Sequence, residues 1–155
     1  MTTRSWIGLG ANLGAPAVQI AEALAAIDAD ARVHGLVRSR LMRTAPVGGP
    51  SGQPDYWNGV ARCEFDGSAR ELLRLLQWLE QRAGRVRVEP NGPRPLDLDL
   101  LVYGEHRIHE PDLVVPHPRM LERRFVLEPL SELDPDLRVP GTDRAVSAAL
   151  AALRP

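Results

Sequence analysis

The chain of 155 residues contains no lysine, because all nineteen of its basic residues are arginines. This absence excludes a Schiff-base lysine, a lysine general base and the lysine of a Walker A phosphate loop. Twenty acidic residues bring the formal charge to −1, so the chain has no bulk positive field to hold a long polyanion. We therefore expect no nucleic-acid partner, and any phosphate chemistry has to use arginine and a metal ion.

Cysteine and long apolar runs are also scarce. The single cysteine, Cys63, cannot form an internal disulfide, and with four scattered histidines it does not build a Cys/His zinc site. No run reaches the roughly 18 apolar residues of a membrane span, and the first residues lack the apolar core of a secretion signal. The sequence therefore predicts one cytoplasmic domain over residues 1–155 with no membrane partner, and we expect a monomer.

Hydrophobic periodicity predicts an α+β protein. Short apolar or alternating runs indicate strands, and helical spacing behind a Ser68 capping box indicates the second of two helices. The predicted strands cover residues 5–9, 33–43, 56–65 and 96–103, with a pairing segment at 107–108, and the predicted helices begin near Pro16 and Ser68. The order β-α-β-β-α-β is typical of a ferredoxin-like antiparallel sheet with helices on one face. Residues 116–155 are expected to add short flanking helices.

Two segments rich in glycine and proline interrupt this order. Residues 44–55 and 85–95 cannot hold regular structure, and the second also carries Arg85, Arg87 and Arg94. Loops of this length in a compact domain are usually binding loops, lids or disordered segments. We interpret both as substrate loops that flank the second helix.

Two aspartates stand two residues apart on the predicted strand 96–103. Asp97 and Asp99 therefore project from one face, while Leu96, Leu98 and Leu100 point to the core. Aspartate is depleted in strands and adjacent like charges repel, two penalties that a bound divalent cation relieves. The spacing favours Mg²⁺ held by both carboxylates and by substrate phosphates. The alternative is an edge strand with a solvated outer face.

Basic side chains surround this pair in the sequence. Arg85, Arg87 and Arg94 precede the carboxylate strand, and planar guanidinium groups make bidentate bonds to phosphate oxygens. His117 and Arg123 belong to a second cationic cluster, although an isolated histidine is more often a packed or surface residue than a functional one. Together these residue types favour phosphoryl transfer at a metal site.

The chain has only seven aromatic residues, and some of them stand near the predicted loops. Tyr56 and Phe125 would grip a planar heterocycle between their faces, with the Asn58 amide at its edge, if the fold brings the three together. Plain core packing is the alternative for Phe125.

Four sequence blocks resemble the 6-hydroxymethyl-7,8-dihydropterin pyrophosphokinase family. They are GLGANLG at 8–14, RTAPVGGPSGQPDYWN at 43–58, GPRPLDLDLL at 92–101 and VPHPRMLERRFVLEPL at 115–130. The resemblance is collinear up to about residue 135. It implies the ferredoxin-like fold and an Mg²⁺-dependent transfer of pyrophosphate from ATP to the hydroxymethyl group of the pterin, with release of AMP, in folate biosynthesis.

The resemblance also implies roles for particular residues. Asp97 and Asp99 are implied to bind two Mg²⁺ ions, and Arg85 and Arg94 match catalytic arginines. The positions that match ATP contacts are Gln77, Glu80, Arg87, Leu100, Val114, His117 and Arg123. The positions that match pterin contacts are Thr44, Ala45, Val47, Tyr56, Asn58 and Phe125.

Three positions depart from the pattern of some family members. Asn91 replaces a tryptophan, Val88 a basic residue, and Asp112 an arginine that contacts ATP. Since the two aspartates and the two central arginines remain, we expect weakened nucleotide binding with the chemistry retained. A degenerate pyrophosphokinase that binds pterin without turnover is one alternative. A ferredoxin-like module that binds RNA or a nucleotide is another, disfavoured by the scarce aromatics and the slightly acidic balance.

Overall fold

The computed structural model describes residues 2–45, 52, 54–84, 96–142 and 144–153. Its helices are α1 Pro16–Ala29, α2 Ala69–Arg82, α3 Arg124–Leu133 and α4 Val146–Ala152. Its strands are β1 Thr2–Ala11, β2 Val33–Arg38, β3 Met42–Thr44, β4 Tyr56–Asp66, β5 Asp97–Tyr103, β6 Ile108–Glu110, β7 Leu113–Val115, β8 Arg138–Val139 and β9 Arg144–Ala145. The protein is thus a mixed α/β structure with four helices in its described part. None of these helices has the length and the apolar character that crossing a membrane requires.

The main sheet is antiparallel, as predicted, and has five strands. The strands run in the order β2-β4-β1-β5, and β3 also pairs with β4. The long central strands β1 and β4 pair from Thr2 opposite Asp66 to Ala11 opposite Trp57. On its other side β1 pairs with β5, which is therefore the outer strand. The hairpins β6-β7 and β8-β9 form two small separate sheets.

The single strand predicted at 33–43 is wrong, because residues 39–41 separate β2 from β3. Ser39 is buried at this break and bonds to the middle of β4. Its backbone N–H donates to the Val60 carbonyl at 2.9 Å, and its hydroxyl accepts from the Val60 N–H at 2.9 Å. A serine that satisfies a neighbouring strand in this way turns the chain out of regular pairing.

Helices cover both faces of the sheet, whereas the sequence interpretation placed them on one. On the first face α1 and α2 pack on alternating β1 residues such as Ile7 and Leu9. On the second face α3 and α4 pack around Trp6, Val60 and Val102. Strand side chains that are apolar on both faces need a layer on each side, and the C-terminal helices supply the second layer.

Helix α2 begins and ends where the sequence signals place it. Ser68 and Glu71 form the predicted capping box, in which the serine hydroxyl accepts from the Glu71 N–H and the glutamate accepts from the Ser68 N–H. Gly84 follows the helix with φ +83°, a left-handed conformation that favours glycine. The buried stripe Leu72, Leu76 and Leu79 fixes this helix against the sheet edge that carries the aspartates.

Cys63 lies inside the core on β4 and should be chemically inert in the folded protein. Its side chain is 1% exposed, and burial raises the pKa of the thiol from 9.0 to about 11, with a further rise from the neighbouring Glu64. Because the thiolate is the reactive form, we expect labelling by a disulfide reagent near pH 8 to be at least about 100-fold slower in the native protein than in denaturant. A time course of thiol labelling with and without guanidinium checks this, and rapid native labelling would show that the core opens around β4.

Candidate active site

Asp97 and Asp99 project from one face of β5, as the alternation predicts. Both are half-buried, while Leu96, Leu98 and Leu100 are buried on the opposite side. The register with β1 places Asp97 opposite Gly10 and Asp99 opposite Gly8. Residues directly opposite in an antiparallel pair share a face, so the strand beside the carboxylates offers no side chains. We call Gly8 and Gly10 the glycine strip.

The glycine strip separates the carboxylates from Asn58 on β4, since Gly10 is also opposite Asn58. A Cβ atom at Gly10 would stand 3.3 Å from Oδ1 of Asn58 and 3.9 Å from Cβ of Asp97. Any larger side chain would therefore fill the space between the two polar groups. With glycine there, a ligand can contact both groups across the bare backbone.

Asn58 forms the far wall of this space with Thr44. The asparagine is 7% exposed, and its Nδ2 donates to the Thr44 hydroxyl at 2.9 Å. Strand β3 makes this contact possible because Thr44 pairs with Tyr56 at the start of β4. Tyr56 is half-buried and Ala45 is exposed just beyond β3. The structure thus brings four of the predicted pterin contacts to one end of the β3-β4 pair.

His117 lies on the segment after β7, which is bonded to the strand that carries the carboxylates. Its backbone N–H donates to the Leu101 carbonyl of β5 at 2.8 Å, which fixes the segment to the carboxylate strand. Burial lowers the pKa of the imidazole, the positive charge of Arg123 lowers it further, and Asp97 opposes both. The Arg119 N–H donates to Nδ1 at 3.3 Å, so the neutral ring carries its proton on Nε2. The neutral ring of His117 therefore presents an N–H donor, and the charges of Asp97 and Arg123 both act on it.

Arg123 and Phe125 stand at the N-terminus of α3, on the same face of the sheet. The guanidinium carbon of Arg123 is 5.5 Å from the centre of the Phe125 ring, within the range of a cation–π contact. Phe125 is half-buried and packs against the core under α3 and α4. Core packing therefore explains the buried part of the Phe125 ring. Stacking of a heterocycle between Tyr56 and Phe125 stays a prediction.

The other predicted ATP contacts divide between buried and accessible positions. Glu80 and Leu100 are buried on the α2 side of β5, which is the face opposite the aspartates. Gln77 is exposed on α2 and Val114 is half-buried on β7. A nucleotide that reached all of these positions would have to pass around the outer strand β5.

Asp112 pairs with α2. Its two carboxylate oxygens accept from the Arg70 guanidinium at 2.9 and 3.0 Å, and Arg70 also forms an ion pair with Glu110. The pair holds the pKa of Asp112 below its usual range. The departure from the family pattern at this position thus connects the β6-β7 hairpin to the first turn of α2.

Several predicted residues lie outside the described part of the chain. They are Val47, Arg85, Arg87 and Arg94, together with the departures Val88 and Asn91.

Sequence reasoning overlooked two features of the site. The strand predicted at 5–9 contains Gly8 but stops before Gly10, whereas β1 continues to Ala11. The motif GLG alternates just as DLD does and could have indicated paired strands. Asn12 is 1% exposed, and its Nδ2 donates to the Pro54 carbonyl at 3.1 Å. This bond connects the turn after β1 to the chain entering β4, and an asparagine inside a glycine-rich turn is its only sequence signal.

The carboxylates of Asp97 and Asp99 suit a magnesium ion, which takes some of its ligands from substrate and water. They suit less well a metal whose ligands all come from the protein. Within the described residues, no group of three or more His, Cys, Asp or Glu could hold a metal ion. Two carboxylates on one strand face, beside a strip without side chains, leave coordination positions for substrate phosphates and water. Mg²⁺ is commonly bound in this way, through one or two carboxylates and the phosphates of a nucleotide.

Comparison with known proteins agrees on one family. Residues 6–135 match the family model described as 7,8-dihydro-6-hydroxymethylpterin-pyrophosphokinase (HPPK). A 2-amino-4-hydroxy-6-hydroxymethyldihydropteridine pyrophosphokinase of Pseudomonas aeruginosa is 43% identical over 140 residues, which cover 90% of this chain and 86% of that protein. A protein of the same name from Haemophilus influenzae is 41% identical over 138 residues, covering 89% and 86%.

A solved structure shares the fold. Wild-type HPPK-DHPS of Plasmodium falciparum superposes with a TM-score of 0.73 at 12% sequence identity, covering 97% of this chain and 44% of that chain. The present chain thus spans less than half of the length of that chain. At this identity the similarity concerns the fold alone.

Proposed function

This chain belongs to the 7,8-dihydro-6-hydroxymethylpterin-pyrophosphokinase family, and from that membership we propose that it transfers pyrophosphate from ATP to the hydroxymethyl group of 6-hydroxymethyl-7,8-dihydropterin and releases AMP. The observation that carries the proposal is the placement of Asp97 and Asp99 on one face beside the glycine strip. Only the bare backbone of β1 would separate a phosphate chain bound at these carboxylates from Asn58, where the acceptor is proposed to bind.

In the proposed reaction, the pterin hydroxyl attacks the β-phosphorus of ATP in line and AMP leaves. Asp97 and Asp99 would hold two Mg²⁺ ions, which when bound neutralise phosphate charge and orient the reacting oxygens. His117 would donate its Nε2 proton in a hydrogen bond to a phosphate oxygen, and Arg123 would pair with the same chain. The pKa of His117 responds to the charges of both Arg123 and Asp97, which supports placing these groups at one site.

Arg85 and Arg94 are proposed, on the family resemblance, to stabilise the charge that develops on the transferred group. Preorganised donors of this kind lower a barrier by roughly 3 to 4 kcal/mol. Gln77, Arg87, Leu100 and Val114 are proposed to contact the rest of the nucleotide. The two glycine- and proline-rich segments are proposed to exclude water from the reacting groups.

The pterin is proposed to bind between Tyr56 and Phe125, with Thr44, Ala45 and Val47 along its edge. Because Nδ2 of Asn58 is bonded to Thr44 and Oδ1 stands near Gly10, the amide oxygen is the acceptor that we assign to the N–H edge of the pterin. An amide oxygen held in place favours a ligand edge that donates hydrogen bonds. In a pterin this is the edge that carries the exocyclic amine.

Replacing Asn58 with alanine should weaken pterin binding about 10-fold and leave ATP binding within about twofold. One lost neutral hydrogen bond in a buried site is worth about 1 kcal/mol, and the Thr44 hydroxyl also loses its partner. Fluorescence titration of the pterin, with ATP titration of the same variant as the internal control, measures both. An equal loss of affinity for both ligands would contradict the assignment of Asn58 to the pterin site.

The same membership supports a finer description of the fold. We propose that the sheet is of the ferredoxin-like type, with β2, β4, β1 and β5 as its four core strands and α1 and α2 as its two connecting helices. The strand order β2-β4-β1-β5 and the shared core beneath α1 and α2 support this proposal.

The reaction is tested by incubating the protein with ATP, Mg²⁺ and 6-hydroxymethyl-7,8-dihydropterin and separating the nucleotides, with each component omitted in turn. AMP that forms only in the complete mixture is the expected result. ADP in its place would mean transfer of the γ-phosphoryl group. Saturable pterin binding without any product would favour the degenerate pyrophosphokinase.

A further inference from the structure

Glu80 occupies an unusual position for a carboxylate. Among the described residues it is the only charged side chain in the buried class, with 6% exposure. A buried carboxylate is costly unless it is hydrogen-bonded. Its Oε2 accepts the backbone N–H of Leu98 at 2.8 Å. Leu98 is the residue between Asp97 and Asp99, so Glu80 is bonded to the backbone that carries both carboxylates.

The outer position of β5 explains why this bond matters. One side of β5 pairs with β1, and among the described residues no strand of the main sheet pairs with its other side. Backbone groups on that outer side need other partners, and two like charges on one strand face repel each other. A hydrogen bond to the outer side of β5 therefore adds to the pairing with β1 in holding the start of this strand. A charge-assisted hydrogen bond from the open side is about twice as strong as a neutral one.

Glu80 is itself held on a rigid element. It follows Leu79 on α2, and Leu76 and Leu79 pack in the same core as Leu98. The backbone of Glu80 therefore keeps its place beside β5 as long as α2 stays packed on the sheet. Metal-binding carboxylates need to be held to within about 0.5 Å. A hydrogen bond from a packed helix can supply this support to the first residues of β5.

We infer that Glu80 is a positioning residue, whose bond to the Leu98 N–H holds Asp97 and Asp99 in the orientation that binds magnesium and ATP. The inference rests on the proposed function and deepens it. It differs from the direct ATP contact that the family resemblance implies for Glu80, because the carboxylate is buried and engaged with the backbone.

Two conservative variants separate positioning from a direct contact. Glu80→Gln keeps an oxygen at the same distance, accepts from the Leu98 N–H and loses the charge. Glu80→Asp keeps the charge but is one methylene too short to reach that N–H. If positioning is the role, Glu80→Gln stays within about threefold of the wild type, while Glu80→Asp needs about 10- to 100-fold more Mg²⁺ for half-maximal rate, the usual cost of losing a partner that orients a metal ligand.

Amide hydrogen exchange gives a readout that does not depend on activity. In the protein without ligands, Glu80→Asp should speed exchange at the Leu98 amide at least about 10-fold and leave the amides of the central β1-β4 pair unchanged. Glu80→Gln should leave the Leu98 amide close to its wild-type rate. Gln81→Ala, the exposed neighbour on α2, is the control for both measurements and should change neither. Leu75→Ala, half-buried on the same helix, shows what a general loss of stability does.

The outcomes separate this inference from the function on which it rests. A wild-type protein that forms no AMP would overturn the proposed function and the inference with it. An active wild type in which Glu80→Asp matches Gln81→Ala in Mg²⁺ dependence and Leu98 exchange would overturn the inference alone. Equal losses in Glu80→Gln and Glu80→Asp, with unchanged Leu98 exchange, would establish a direct electrostatic contact with substrate instead. If Leu75→Ala shifted the Mg²⁺ midpoint as far as Glu80→Asp does, the shift would reflect a general loss of stability. That result would also overturn the inference.

Discussion

Replacing Asp97 with asparagine should lower the rate of pyrophosphoryl transfer about 1,000-fold. Asparagine keeps the size of the side chain and one oxygen but removes the charge that is proposed to hold a divalent cation against phosphate oxygens. Charge neutralisation by a bound metal is worth several kcal/mol in a transition state, and about 4 kcal/mol corresponds to this factor. Asp99→Asn should behave in the same way, because both carboxylates project from one face beside the glycine strip.

The loss should appear in turnover and Mg²⁺ dependence while the fold persists. Both aspartates are half-buried, and neither side chain is part of the apolar cores. Asp28→Asn, an exposed position on α1, is the matched control and should keep wild-type turnover. Steady-state rates over a Mg²⁺ series, with thermal melts of each variant, measure the effect. If Asp97→Asn turned over at a near-normal rate, the assignment of the metal site would be wrong.

Replacing Phe65 with alanine should have the largest effect on stability, about 3 to 5 kcal/mol of unfolding free energy. The ring is 0% exposed near the end of β4, between Thr3 of β1 and Val33 of β2. The Arg32 guanidinium lies 5.2 Å from the ring centre, so the variant loses a cation–π contact as well as buried surface. In a chain of 155 residues each kcal/mol shifts the melting temperature by about 2 to 4 °C.

Calorimetry or urea titration measures the Phe65 effect, with Val37→Ala as its control. Val37 is 38% exposed on the neighbouring strand β2, so its truncation should cost at most about 0.5 kcal/mol. Phe65 pairs at the opposite end of β1 from Gly10 and Asp97, and turnover of the still-folded variant should therefore stay within about twofold. A cost below about 1 kcal/mol would mean that the core around β4 is packed more loosely than described.

Local sequence signals predicted the elements whose structure depends on near neighbours. The capping box and the final glycine fixed the ends of α2, and period-two alternation placed Asp97 and Asp99 on one face. The break between β2 and β3 was not predictable in this way. It depends on the bonds of Ser39 to Val60, a residue 21 positions along the chain.

The cover on the second face of the sheet has a signal in the sequence of β1, which carries no charged side chain from Ser5 to Ala11. The structure buries this whole run, and a continuous run of this kind is typical of a strand covered on both faces. One helix layer leaves such a strand half exposed. The run therefore already required the second layer that α3 and α4 form.

Roles that arise from strand pairing or burial stayed hidden in the sequence. The glycine strip becomes part of the site only because the register sets Gly10 between Asp97 and Asn58. Glu80 follows a buried leucine on an amphipathic helix, where a charged residue is normally expected to face solvent. The bond from the Leu98 N–H to its carboxylate depends on tertiary structure, which the local sequence does not reveal.

The most direct test of the central claim follows a radioactive β-phosphorus of ATP through one round of reaction with the pterin and Mg²⁺. Attack at the β-phosphorus moves the label into the pterin product and releases unlabelled AMP. Label that stays in the nucleotide as ADP would show attack at the γ-phosphorus and would contradict the mechanism.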